Sequence, residues 1–109
     1  MSRAVGDKAE TLTCKYLTEK GFEIIERNFY SRFGEIDIIA KHGDVLHFIE
    51  VKSGLDYERA VQNLTPKKIG RIVKTSDMYL KKHALTCNYQ IDAVIVYDGN
   101  CEHLESITL

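Results

Sequence analysis

At 109 residues, with 44% hydrophobic and 28% charged side chains, the chain suits one compact domain over residues 1–109 rather than a disordered or fibrous polymer. No apolar run is long enough to span a bilayer, and the opening MSRAVGDKAE lacks a signal-peptide core, so a cytoplasmic protein with no membrane partner is expected. Formal net charge is −1, but six basic residues and one acid lie between Thr65 and His83, leaving nine basic and fifteen acidic residues elsewhere.

Ala4 to Lys20 reads as a helix, with Val5, Ala9, Leu12, Tyr16 and Leu17 forming an apolar stripe and Gly21 placed as a C-terminal cap. Phe22–Tyr30 reads as a first strand. Glu35–Lys41 and Val45–Ser53 read as the arms of a hairpin about Gly43-Asp44. The segment SGLDYERAVQNL is a polar link with room for a short helical turn. Thr65-Pro66 then opens a second helix, threonine as N-cap and proline in the first turn. Its apolar stripe runs through Ile69, Ile72, Val73, Ser76, Tyr79 and Leu80 to about His83. Asn88–Asp98 is a strand, Asp98-Gly99-Asn100 a turn, and HLESITL a closing edge strand. The order α-β-β-β-α-β-β predicts an α/β sandwich on a mixed central sheet flanked by helices.

The three cysteines (Cys14, Cys87, Cys101) and four histidines (His42, His47, His83, His103) show no metal-ligand spacing. They read as free thiols in a reducing compartment and as solvated or packed imidazoles. The hairpin carries more chemistry. With a two-residue turn that has glycine first, Asp37 falls opposite Glu50, Glu35 opposite Lys52 and Ile39 opposite Phe48, all on one face. Directly opposed Cβ atoms lie roughly 4.5–5.5 Å apart, so two ionised carboxylates there repel each other. A proton, solvation at a sheet end, or a divalent cation resolves the conflict; magnesium suits a few carboxylate oxygens plus waters. Lys52, two residues after Glu50, reaches the same face, where an ammonium can stabilise phosphate charge or orient a water. A wet face with a plain Glu35–Lys52 surface pair is the competing reading, weakened by Ile39, Leu46 and Phe48 on the same face.

Asp37 followed by Glu50-Val51-Lys52 resembles the PD-(D/E)xK signature of restriction-endonuclease-like nucleases. The stretches VGDKAETLTCKYLTEKGFEIIERNF, GEIDIIA, GDVLHFIEVK and YQIDAVIV follow in the order of the YraN-like family of small bacterial proteins, with Gly6, Glu10 and Asn28 included. The resemblance to archaeal Holliday-junction resolvases is more distant. The likeness implies a nuclease core in which Asp37, Glu50 and Glu10 hold Mg2+ or Mn2+, and Asp37, Glu50 and Lys52 are catalytic. It places Gln62 and Lys68 near the phosphate. Where that family continues with a small residue and then arginine, this chain has Ser53-Gly54, and LDYERAVQNL replaces a glycine-containing segment.

Lys67, Arg71 and Lys74 step by four and three along the second helix and, with Lys68, form a nucleic-acid-binding candidate. A solvated helix back is the plainer reading of the same lysines. Three functions follow: a metal-dependent DNA endonuclease, structure-selective for branched or junction DNA; a non-catalytic nucleic-acid-binding module; or a protein-interaction scaffold. A terminal edge strand would also let two copies pair as a homodimer.

Overall fold

The computed structural model describes residues 3–108. Its elements in chain order are α1 (Arg3–Glu19), β1 (Glu23–Ser31), β2 (Gly34–His42), β3 (Val45–Ser53), α2 (Tyr57–Val61), α3 (Pro66–Lys82), β4 (Asn88–Tyr97) and β5 (Asn100–Leu104). The strands form one sheet in the order β1-β2-β3-β4-β5, antiparallel except for the parallel β3–β4 pair. The chain crosses from β3 to β4 through α2 and α3. The mixed α/β sheet expected from the pattern is therefore the one observed, with the polar link supplying the short helix α2. Among the described residues no helix is long and apolar enough to cross a membrane.

Helices cover both faces. On one, Ala9 and Leu17 of α1 pack on Ile38, Ala40, Ile49, Val51, Val94 and Val96. The buried line of α1 runs Ala9–Thr13–Leu17, while Val5 is 48% exposed, so the stripe is rotated from the one the apolar residues alone suggest. Thr13 tolerates burial because its hydroxyl donates to the Ala9 carbonyl at 2.8 Å. On the other face Ile72 and Tyr79 of α3 pack on Phe29, Ile36, Ile39, Phe48 and Ile91. Ala60 of α2 sits beside them on Ala93 and Ile95.

Local signals set the ends. Helix α1 closes with the Phe22 N–H on the Leu17 carbonyl at 3.0 Å and Gly21 at φ 93°. Thr65 caps α3 by accepting from the Lys68 N–H at 3.2 Å, with Pro66 following. Gly43 turns the β2–β3 hairpin at φ 58° while Asp44 stays at negative φ, as a type II′ turn requires. The ladder then pairs His42 with Val45 and Ile39 with Phe48, the expected register.

One expected element is different. The closing strand is Asn100–Leu104, earlier than HLESITL. Ser106 takes φ 52° and turns its N–H onto the buried Asp92 carboxylate at 2.9 Å, which takes the backbone out of ladder geometry. Ile107 rejoins the β4 backbone through a single 2.8 Å bond to the Ile91 carbonyl.

Gly54 marks where β3 meets α2. A Cβ added there would stand 2.9 Å from the Ala60 backbone nitrogen. An arginine, which the family likeness would favour at this point, does not fit against α2 as packed. Gly54→Ala is expected to destabilise the protein by about 1–3 kcal/mol. Gly70→Ala, inside α3 with nothing within 4 Å of the added Cβ, is expected to stabilise it by about 0.5–1 kcal/mol. Urea unfolding of the two variants checks both signs.

Candidate functional site

The pairing of β2 with β3 stops at Ile38–Ile49. Asp37 and Glu50 come next, but no backbone bridge joins them. Instead the Asp37 carboxylate accepts the Val51 N–H at 2.8 Å, taking the place of a ladder bond with a side chain. The strict alternation of β2 breaks at the same point. Ile36 and Ile39, three residues apart, both enter the core under α3. On β1 the break is matched by Asn28, at φ 55°. Past Ile49, β3 continues alongside β4 alone, in parallel register through Ser53–Val96.

The opening is a cleft of about 320 Å3 lined by Gly6, Ala9 and Glu10 of α1, Gly34, Glu35 and Asp37 of β2, Glu50, Val51 and Lys52 of β3, and Lys68, Arg71 and Ile72 of α3. Helices from opposite faces of the sheet reach the same cleft because the strands part there. One carboxylate oxygen from each of Glu10, Glu35 and Asp37 lies within 4.8 Å of the other two. The Glu50 carboxyl adjoins Asp37 in the same cleft. Lys52 Nζ stands 3.7 Å from Glu50 Oε2. Glu10 is steadied from behind by Asn28 Nδ2, at 2.9 Å, and by the Arg27 guanidinium, at 3.6 Å. Such outer contacts fix the direction in which a ligating carboxylate points.

The structure brings Glu10, Asp37, Glu50 and Lys52 to one cleft. It corrects two details of the expected register. Asp37 and Glu50 meet through their side chains rather than as a ladder pair. Glu35 leaves Lys52, whose ion pair is with Glu50, and becomes a third carboxylate beside Glu10 and Asp37. Both changes follow from the Asp37–Val51 bond, which ends the ladder early. Lys68 and Arg71 line the cleft, whereas Lys67 and Lys74 lie exposed further out on α3. Gln62 is exposed and is not among the cleft-lining residues.

Two features escaped the sequence reading. Arg32, in the β1–β2 turn, lies over the Phe33 ring at 4.9 Å, and Lys74 approaches the same ring at 5.4 Å, extending the basic rim. At the far end of the sheet, His47 and His103 converge on Asp92. The available signal was Asp92 itself, an acid inside the apolar run YQIDAVIV that burial obliges to find partners.

The electrostatics of the cleft are strained in one direction. Burial, the hydrogen bond to Glu50 and the Glu50 charge push Asp37 up to about 10, against the opposing Val51 N–H; Glu35 adds to the rise. Without a cation, burial and the neighbouring carboxylates favour the protonated form of Asp37. The donor set is all hard carboxylate oxygen, clustered and partly open to solvent, and it fits Mg2+ or Mn2+. Glu10, Glu35 and Asp37 would hold the ion, with Glu50 adjoining.

Asn at position 37 would keep the Val51 bond through its carbonyl oxygen and donate its amide to Glu50. Asp37→Asn is therefore expected to stabilise the metal-free protein by about 1 kcal/mol or more, roughly 4–8 °C in Tm per kcal/mol, while its Mn2+ affinity falls. Thermal unfolding in EDTA and Mn2+ calorimetry read the two effects, and a lower Tm in EDTA contradicts the crowding argument.

Comparison with known proteins gives a consistent picture. Residues 9–96 match the Uncharacterised protein family UPF0102. The UPF0102 protein of Sulfurimonas denitrificans is 57% identical over 109 residues, covering 100% of both chains. That of Wolinella succinogenes is 50% identical over 109 residues, again covering 100% of each. The Helicobacter hepaticus protein is 51% identical over 108 residues, 99% of this chain and 97% of its own. With this carboxylate–lysine cleft on a five-stranded mixed sheet, the chain belongs to the UPF0102, or YraN-like, family.

Proposed function

We propose that the cleft is a metal-dependent phosphodiesterase centre acting on DNA, with branched or junction forms as its preferred substrates. The observation that carries this reading is the convergence of Glu10, Glu35, Asp37 and Glu50 with Lys52 at the cleft, rimmed by Lys68 and Arg71. Carboxylates alone would suit any hard cation. A lysine beside them and cations from a neighbouring helix add what a phosphodiester needs.

A bound Mg2+ or Mn2+ would supply Lewis-acid stabilisation of phosphoryl charge and a more acidic water. The protein's own groups do the rest. Glu10, Glu35 and Asp37 set the position of the site, Glu10 being held by Asn28 and Arg27. Glu50, 3.7 Å from Lys52, keeps the ammonium at the cleft, where it can orient an attacking water or stabilise the charge that builds on a phosphate oxygen. Lys68 and Arg71 would take flanking phosphates, and Lys67, Lys74 and Arg32 would extend the track. These are backbone contacts, which favour recognition by shape over base sequence.

Lys52→Ala is expected to lower cleavage by at least about 100-fold while leaving Mn2+ affinity within a few-fold. The assay uses labelled single-stranded, duplex, flapped and four-way DNA and RNA, with Mg2+, Mn2+ or EDTA. Equal cutting by wild type and variant removes Lys52 from the reaction. Salt-sensitive binding without cutting leaves a nucleic-acid-binding module, and neither binding nor cutting leaves an interaction scaffold. Replacing Lys67, Arg71 and Lys74 together by glutamate is expected to flatten the plot of log affinity against log salt by roughly two to three units of slope, measured by fluorescence anisotropy. An unchanged slope makes that helix face merely solvated.

A further inference from the structure

At the far end of the sheet from the acidic cleft, four polar side chains converge. His47 comes from β3, Asp92 from β4, His103 from β5 and Glu105 from the segment just after it. One ligand atom from each lies within 4.8 Å of the others. His47 Nδ1 is 2.6 Å and His103 Nε2 2.7 Å from the same Asp92 oxygen, Oδ2. The other Asp92 oxygen accepts from Gln90 Nε2 and from the Ser106 N–H, both at 2.9 Å. Gln90 Nε2 also donates to Glu105 Oε1 at 3.1 Å. The ring of Phe22 stacks on His42 at 4.5 Å and meets His47 and His103 edge-on at 4.9 and 5.7 Å.

Asp92 is fully buried, and Glu105 brings a second carboxylate into its neighbourhood. Among the described residues no lysine or arginine forms an ion pair with either acid. Asp92 keeps its charge in the sheet interior through four hydrogen bonds, and Glu105 adds a second carboxylate at the exposed edge of the cluster. A divalent cation matches that charge. Two imidazole nitrogens and two carboxylate oxygens are also a donor set that zinc and its first-row neighbours accept in four-coordinate sites.

We infer that His47, Asp92, His103 and Glu105 form a binding site for a divalent transition metal, with Zn2+ its best-fitting occupant. The site is separate from the acidic cleft in place and in chemistry. Donors at roughly 2.0–2.2 Å from the metal would stand further apart than the present hydrogen bonds, so binding spreads the two imidazoles slightly. Each neutral ring would move its proton to its other nitrogen. Gln90 and the Ser106 N–H already hold the Asp92 oxygen turned away from the histidines, the role that outer contacts play in metal sites. Glu105 is exposed and His103 half-buried, which gives the ion a route in from solvent. The metal would tie β3, β4, β5 and the following segment together, a structural function.

The test is a Co2+ titration of the full-length, chelator-stripped protein in excess Mg2+, followed by competition with Zn2+. The expected result is one equivalent of Co2+ with visible d–d bands of four-coordinate intensity, displaced by Zn2+ and raising the unfolding temperature. Affinity is expected to fall at least about tenfold in His103→Gln and in Glu105→Gln, and to persist in the cleft variant Glu10→Gln. Glu105→Gln changes an exposed residue outside any helix or strand, so it keeps the test valid if His103→Gln misfolds. Absence of the bands, a near-ultraviolet thiolate charge-transfer band indicating cysteine ligation, or Co2+ affinity unchanged in Glu105→Gln would overturn the assignment.

Discussion

The structure turns on one hydrogen bond, from the Val51 backbone N–H to the Asp37 carboxylate. A side chain does there what a backbone carbonyl does elsewhere in the hairpin, and the β2–β3 ladder ends at Ile38–Ile49 as a result. The parting strands let α1 and α3, packed on opposite faces, contribute to one cleft. Strand β3 stays in place because its parallel ladder with β4 continues to Ser53. Glu10 can then enter from above and Lys68 and Arg71 from below. The same bond keeps Asp37 buried among Glu50, Glu35 and Glu10, surroundings that disfavour its charged form. A folded domain that assembles this much like charge loses stability unless something compensates it. Under the proposed function a divalent cation would be that compensation.

Much of this was legible in the sequence, for identifiable reasons. A two-residue Gly-Asp turn fixes the hairpin register, and a fixed register brings Asp37 toward Glu50 and Lys52. Thr65-Pro66 starts a helix wherever it precedes an apolar stripe. Glu10 was different. Its helical position only borders the apolar stripe, and it was the family likeness that directed it to the site. What periodicity could not reveal was the point where the ladder fails. Alternation assumes that backbone pairs with backbone, and Asp37 violates the assumption by pairing with Val51 itself. Alternation therefore pairs Glu35 with Lys52, whereas the structure sets it beside Glu10 and Asp37. The closing strand was misplaced for a related reason, since Ser106 leaves the ladder to satisfy Asp92.

Both departures from regular pairing involve a buried aspartate that takes a backbone N–H, yet their surroundings differ. Asp37 lies among carboxylates and is pushed up. For Asp92, burial acts in the same direction but is outweighed by hydrogen bonds from His103, His47, Ser106 and Gln90, which hold it down at about 2. The first environment suits a hard, oxygen-seeking ion with open coordination, the second a borderline ion in a closed N/O set. Strand β3 carries a residue to each, Lys52 at one end and His47 five residues away, roughly 16 Å along an extended chain. One sheet thus carries a carboxylate–lysine cleft at one end and a histidine–carboxylate cluster at the other.

The central claim is that the cleft is shaped around a cation shared by Glu10, Glu35 and Asp37. Crystals grown with Mn2+ and measured at the manganese edge test it most directly. The expected result is an anomalous peak among these three carboxylates, with Asp37 still accepting the Val51 N–H. Saturating Mn2+ with no peak in the cleft would contradict it.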